Sequence, residues 1–314
     1  MITVRNYEGK DFNNVINVWN ESLPYDTVSK LLFTRKILLD CNFDRNNFFV
    51  AEDDGKMCGF LYSCVRLVPA DAGAPLEEDV GYIVAFGVLK EYMEKVGMQL
   101  ISAFEARMKT LGRKKIKATG FSPAYFTQGF DEDHYPEYIK LFTDAGYEGA
   151  HSISMDIDLT KYVKPAGIEE KRRRLKEEGI EVIPLSHEYI PAFLDPSEPF
   201  NSPGWVAQFR RRLLLNNDFE SVRIAVKDGR VIGAVIFGDP DSSPERFGPF
   251  GVNSEYQGKG IGTVLLADCL CEMKSRTLHN SWMQWTSGTG ASGTVYKRAG
   301  FTEGRHFVNF IKEI

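Results

Sequence analysis

The chain has 314 residues, enough for two ordinary domains of roughly 150 residues each. Its 43% hydrophobic and 26% charged residues are those of a globular protein and exclude a fibrous or largely disordered one. A net charge of −5 gives no general attraction to phosphate backbones, and no run approaches the roughly 20 apolar residues of a membrane span, so neither nucleic acid nor a membrane is an expected partner.

The first predicted element is a strand over 2–7 (ITVRNY), in a stretch that turns polar before a signal-peptide core can form. A cytoplasmic location is therefore expected. A helical region containing Trp19 follows, and then FVAEDDGKMCGF at 49–60, two apolar strands around an Asp-Gly turn, which reads as a β-hairpin. FGVLKEYMEK at 86–95 leads into a helix predicted from about Gly97 to Leu111, with Met98, Ile101, Phe104, Met108 and Leu111 on one face. Near 160–168 the apolar periodicity fades, placing a domain boundary there and giving domains 1–162 and 163–314. The basic run KRRR at 171–174 is followed by Glu177 and Glu178 and reads as the solvated face of a connecting helix.

The second half repeats the series. A strand is predicted at 180–185 (IEVIPL), then a helical region with Trp205, a hairpin at 224–234 (IAVKDGRVIGA) and a strand over Phe247–Val252. A glycine run follows, then a helix from about Gly260 to Lys274, a strand at 281–287 and a short helix ending at an Ala-Gly-Phe turn. FGVNSEYQGK at 250–259 shares six residues in register with 86–95, and YKRAGF at 296–301 lies over FTDAGY at 142–147. One domain has been used twice.

Metal chemistry is not expected. Cys41, Cys58, Cys64, Cys269 and Cys271 lack the paired spacing of zinc sites, and the five histidines show no helical i, i+4 pair.

In the second copy Val252, Gln257, Gly260 and Gly262 fit V-x(4)-[QR]-x-x-G-x-[GA], and Tyr296, Gly300 and Phe301 fit a later Y-x-x-x-G-F. Together these motifs resemble the GNAT superfamily of acyl-CoA-dependent N-acetyltransferases, as a tandem pair covering both halves. The resemblance implies an α/β (α+β) chain of two GNAT folds, each a mixed, mostly antiparallel sheet flanked by helices. It implies acetyl-CoA as cosubstrate, no metal, and a small-molecule amine as acceptor; a monomer or homodimer is expected.

A helix start leaves backbone N–H groups unpaired and carries partial positive charge, so it can receive a diphosphate. On that ground Gln257, Gly258, Lys259, Gly260, Ile261, Gly262 and Thr263 are the candidate phosphate loop, with bare glycines permitting close approach. The family's use of the preceding strand for the pantetheine arm carries over to Phe250, Gly251 and Val252. A plain glycine turn that starts a helix is the competing reading; a Walker loop and a dinucleotide fingerprint both fail on glycine spacing.

The resemblance makes Tyr296 the acid that protonates the departing thiolate. A core tyrosine packing its short helix is the alternative, and Thr289 stands where many relatives carry asparagine. No carboxylate lies in Phe247–Val252, leaving Glu245, Asp239 and Asp241 upstream as candidate bases or as solvated loop acids. Trp205, with Phe200, Asn201 and Ser202, falls where relatives build the acceptor pocket. A non-catalytic acyl-CoA sensor or scaffold, or transfer to a peptide N-terminus, stays open as a different class of function.

In the first copy Met93 replaces the glutamine, Val96 and Met98 replace the two motif glycines, and Glu94 stands in place of Gly258. That copy is expected to have lost coenzyme binding and to serve structurally, unless an altered loop restores it.

Overall fold

A computed structural model of the chain describes residues 1–70, 74–121, 126, 128–239 and 243–314. The first half runs β1 (Ile2–Asn6), α1 (Phe12–Ser22), α2 (Lys30–Phe33), β2 (Phe48–Asp53), β3 (Lys56–Cys64), β4 (Val80–Val88), α3 (Met93–Thr110), β5 (Lys115–Ala118), β6 (Phe130–Asp131), α4 (Pro136–Asp144) and β7 (Glu148–Asp158). The second runs α5 (Ile168–Glu177), β8 (Ile180–Pro184), α6 (Ile190–Phe193), α7 (Pro203–Asn216), β9 (Val222–Lys227), β10 (Arg230–Phe237) and β11 (Phe247–Val252). It ends with α8 (Ile261–Ser275), β12 (Asn280–Thr286), α9 (Gly290–Ala299) and β13 (Thr302–Glu313).

The chain divides into two compact units, one of Met1–Ala70, Pro75–Ser152 and Arg305–Ile314, the other of Ile153–Gly304. A cut at 162/163 therefore does not coincide with the structural division. In the first unit β13 pairs with β5 through Phe310–Glu313 and with β6 through Phe307 and Val308. In the second, β12 pairs with β7 through residues 153–158. Neither β7 nor β13 is foreseen from the sequence, because their partners lie far away in the chain and no local pattern names them.

The first unit's sheet has the order β1-β2-β3-β4-β5-β13, antiparallel except for β4 with β5. The helices α1 and α3 both pack on β3. β4 is buried along all nine residues, which is why VGYIVAFGV reads as a continuous apolar run rather than an alternating one. The second unit holds the antiparallel order β8-β9-β10-β11, with α8 packed on β9 and β10. Ile261, Val264, Leu265, Leu270 and Met273 of α8 are buried, each stabilising the fold by roughly 1.5–3 kcal/mol.

Both hairpins close as expected. Asp54 and Gly55 have φ of 48° and 84°, and Asp228 and Gly229 have 49° and 77°, the left-handed pair that suits a two-residue turn between twisted strands. In each unit two neighbouring strands then part. β4 and β5 pair over Val80–Ile83 and Lys115–Ala118, whereas β11 and β12 meet through a single bridge, Arg246 with Trp282, just before β11 begins. Each unit is thus a mixed, mostly antiparallel sheet flanked by helices, as the family resemblance implies.

The helix predicted from Gly97 begins earlier, at Met93. Met93 and Val96 are buried, and the apolar anchorage of this first turn draws the helix start back into the segment that would otherwise be a loop. Gly97 lies within the helix, where a β-carbon would stand 2.5 Å from Leu141 Cδ2, so its role is close packing of α3 on α4.

Candidate active site

At the end of β11 the chain makes one 3-10 turn over Ser254–Tyr256, and Gln257 leaves it in extended conformation. Gly258 and Gly260 have φ of 82° and 91°, a region that side chains resist. Gly260 is the N-cap of α8, no side chain caps that helix, and the first closing bond runs from Val264 N to Gly260 O. The amides of Ile261, Gly262 and Thr263 therefore precede the first intrahelical bond, at the positive end of the helix dipole. The sec-butyl side chain of Ile261 is buried, so its backbone is what it offers to the loop.

The glycines serve different purposes. Gly258 and Gly260 answer to backbone conformation; a β-carbon on Gly262 would stand 3.2 Å from Phe250 Cζ, so that glycine lets β11 lie close to α8. Gln257 and Lys259 are exposed, and the Lys259 ammonium is paired with Glu178 at the end of α5. Close to the loop lies a residue read from sequence as part of a solvated face: Lys171 Cδ is 3.6 Å from where a β-carbon on Gly260 would sit.

Phe250 links the loop to Tyr296. Its ring is 5.8 Å from the Tyr296 ring, and Phe247 and Phe301 complete an aromatic cluster around the tyrosine. Tyr296 is 6% exposed, and burial raises its phenol well above the ordinary tyrosine value, keeping it protonated. Its hydroxyl has no hydrogen-bond partner among the described residues, yet it is not sealed from solvent as those of Tyr62, Tyr147 and Tyr162 are.

On the other face of β11, a β-carbon on Gly251 would come within 2.7 Å of Trp205 Cζ3. Trp205 stands at the start of α7, which opens with a serine cap and a proline, Ser202 Oγ accepting from Trp205 N at 3.3 Å. Further along α7, buried Arg212 donates to Gly248 O at the start of β11. Asn201 is committed to the backbone carbonyls of Phe193 and Asp195, Ser202 to the helix cap, and Phe200 to the core. Of the four acceptor-region residues, Trp205 alone is both half-buried and against β11.

Sequence reasoning passed over Asn253, one residue beyond Val252. It is fully buried, accepts from Phe200 N at 2.8 Å and donates to Glu198 Oε2 at 2.7 Å, while Glu198 holds Arg230 through two 3.0 Å bonds. This network ties the segment before α7 to the end of β11. A buried asparagine following the motif valine was the available signal.

The upstream acids have structural work. Asp239 pairs with buried Arg246 at 2.5 Å. Glu245 accepts from the amides of His279 and Asn280 at 2.9 and 3.0 Å and so anchors the start of β12. Asp241 lies outside the described residues. On α8, burial raises the thiol pKa of Cys269 and of Cys271, which keeps both protonated. Among the described residues no group of three or more His, Cys, Asp or Glu is placed to hold a metal ion, and no helix is long and apolar enough to cross a membrane.

The corresponding place in the first unit is filled. The turn over Lys90–Tyr92 runs straight into α3, and no residue from 89 to 98 has a positive φ. Tyr138 hydroxyl accepts from Val88 N and donates to Val88 O, both at 3.1 Å, occupying the backbone that corresponds to Val252. Phe142, at the position of Tyr296, is wholly buried against Phe86.

The glycine-rich helix start and the tyrosine on the following helix stand on the elements where the family resemblance implies them. Residues 218–303 match the family model for the acetyltransferase (GNAT) domain, and the second unit is such a domain. No protein of curated function matches the sequence. Among solved structures the chain is similar to a fungal multi-domain β-N-acetylglucosaminidase containing a GCN5-related glucosamine N-acetyltransferase region, with TM-score 0.81 and 20% identity over 99% of this chain and 38% of that one. This chain thus spans well under half of that protein. It is also similar to a GCN5-related N-acetyltransferase from Sphaerobacter thermophilus, with TM-score 0.71 and 15% identity over 99% and 95% of the two chains. A tandem GNAT protein from the clavulanic acid biosynthesis pathway follows, with TM-score 0.65 and 13% identity over 100% and 98%. At these identities the shared property is the fold, and it extends over both units.

Proposed function

We propose that the second unit transfers an acetyl group from acetyl-CoA to the amine of a small polar acceptor. The observation that carries this reading is the continuity from Gly260 and Gly262 through Phe250 to Tyr296, which sets an uncapped helix start and a protonated phenol against the same residue near the end of β11. The residues fit the cosubstrate: the amides of 261–263 and the left-handed glycines offer donors to a diphosphate, and Phe250–Val252 offers strand backbone to the pantetheine arm. The amine nitrogen bonds to the thioester carbon, the carbon–sulfur bond breaks, and the thiolate takes the Tyr296 proton, which water restores. The amine's own proton leaves to solvent, since Asp239 and Glu245 are engaged elsewhere. Direct transfer is favoured because the α8 thiols are held protonated by burial.

Trp205 on Gly251 forms the acceptor side. The test is thiol release from acetyl-CoA against a panel of amines: glucosamine, given the fungal relative's described region, a polyamine, an aminoglycoside, an amino acid and a peptide N-terminus. Turnover with a small amine and not the peptide is the expected result. Tight acetyl-CoA binding without turnover of any amine would instead favour a sensor.

A further inference from the structure

We propose that Lys171, on a helix outside the segment matching the acetyltransferase family, supplies the cation that faces the coenzyme's diphosphate at Gly260. The inference rests on the reading of residues 257–263 as the coenzyme loop. On α5 the buried residues are Ile168 and Leu175, and Lys171 lies between them at helical spacing, three residues after one and four before the other. It therefore lies on the side of the helix that carries those two residues but is itself exposed, and its stem passes over Gly260.

Its three basic neighbours are neutralised within the chain. Arg172 grips Asp268 of α8, with Nη2–Oδ2 at 2.6 Å, Arg173 pairs with Glu170 and Glu177 at 2.7 and 2.9 Å, and Arg174 pairs with Glu170 at 2.8 Å. No carboxylate pairs with Lys171 among the described residues. The Arg172–Asp268 clamp holds α5 on α8, about two turns beyond Gly260, and so fixes where Lys171 stands. Lys259, the cation that the motif itself suggests, is already paired with Glu178. A lysine stem held this close to an uncapped helix start brings a positive charge toward a positive helix end, which is a repulsive arrangement. A diphosphate relieves it, and that is the chemistry the pair selects.

The repulsion gives Lys171→Ala two effects of opposite sign. Calorimetric titration with acetyl-CoA and with its 3′-dephospho form should show Kd raised about five- to twentyfold for both ligands, while the unliganded variant melts no lower than wild type. Arg173→Ala, which removes another exposed charge from the same helix, should change Kd less than about twofold. Unchanged Kd in Lys171→Ala overturns the proposal while leaving the loop assignment intact. A loss confined to the 3′-phosphorylated ligand also overturns it, by placing the lysine at the ribose phosphate. If wild type binds neither ligand, the loop reading fails and this inference with it.

Discussion

The indole of Trp205 lies so close to Gly251 that a single methyl group added to the glycine would stand 2.7 Å from Cζ3. The strand read as the coenzyme's support and the residue read as the acceptor's wall are thus in direct contact. Gly251→Ala should push the indole away, raising the acceptor KM at least about fivefold while the acetyl-CoA Kd stays within about twofold. Steady-state kinetics with the identified amine checks this, and an unmoved acceptor KM would remove Trp205 from the acceptor site.

Gly260→Asp places a side chain at φ 91° and a negative charge at the start of α8. Acetyl-CoA affinity should fall at least tenfold, about 1.4 kcal/mol, with far-ultraviolet dichroism unchanged. A folded variant that binds normally refutes the phosphate-loop assignment.

Tyr296→Phe leaves the aromatic cluster with Phe247, Phe250 and Phe301 in place and removes one hydroxyl. The expected outcome is kcat lowered about tenfold or more with an unchanged acetyl-CoA Kd. Equal kcat would hand the acid's role to water or to another group.

Titration of acetyl-CoA into the chain should give one site, abolished by Gly260→Asp. In the first unit α3 starts directly after the turn over Lys90–Tyr92 and leaves no counterpart of the glycine loop, and the Tyr138 hydroxyl is bonded to the backbone of Val88. Two sites per chain, or one that survives Gly260→Asp, would show that the first unit binds coenzyme by another route.

Burial raises the phenol pKa of Tyr62, Tyr147, Tyr162 and Tyr296 above the ordinary value near 10. Between about pH 10 and those raised values the unfolded chain has lost protons that the native one keeps, so unfolding becomes easier as pH rises. Urea midpoints should hold steady to about pH 9 and fall beyond pH 10, less steeply in Tyr296→Phe. A flat profile to pH 11 would mean these hydroxyls ionise in the native state.

The repeat, the hairpins and the glycine loop were legible because each is written locally: Asp-Gly at a left-handed turn, glycines where φ is positive, an aromatic beside the Gly-Phe turn. Lys171 was not, since KRRR looks like a solvated run until α5 is seen packed on α8. Asp239 and Glu245 looked free for the same reason, as their partners Arg246, His279 and Asn280 become neighbours only through the fold. The first unit's helix starts earlier than the loop motif suggests because Met93 and Val96 of that segment are core residues.

Residues 305–314 complete the first unit's sheet, and Arg305 binds Asp26 there at 2.7 Å. During synthesis this unit cannot close when its own first 152 residues emerge from the ribosome. It must wait, with β5 open along one edge and β6 without its partner strand, until the whole of the second unit has been translated. The order of maturation is thereby reversed: the acetyltransferase domain, translated after most of the first unit, can finish before it. A premature stop just before Arg305 would spare the second unit and leave the nascent first unit exposed to proteases.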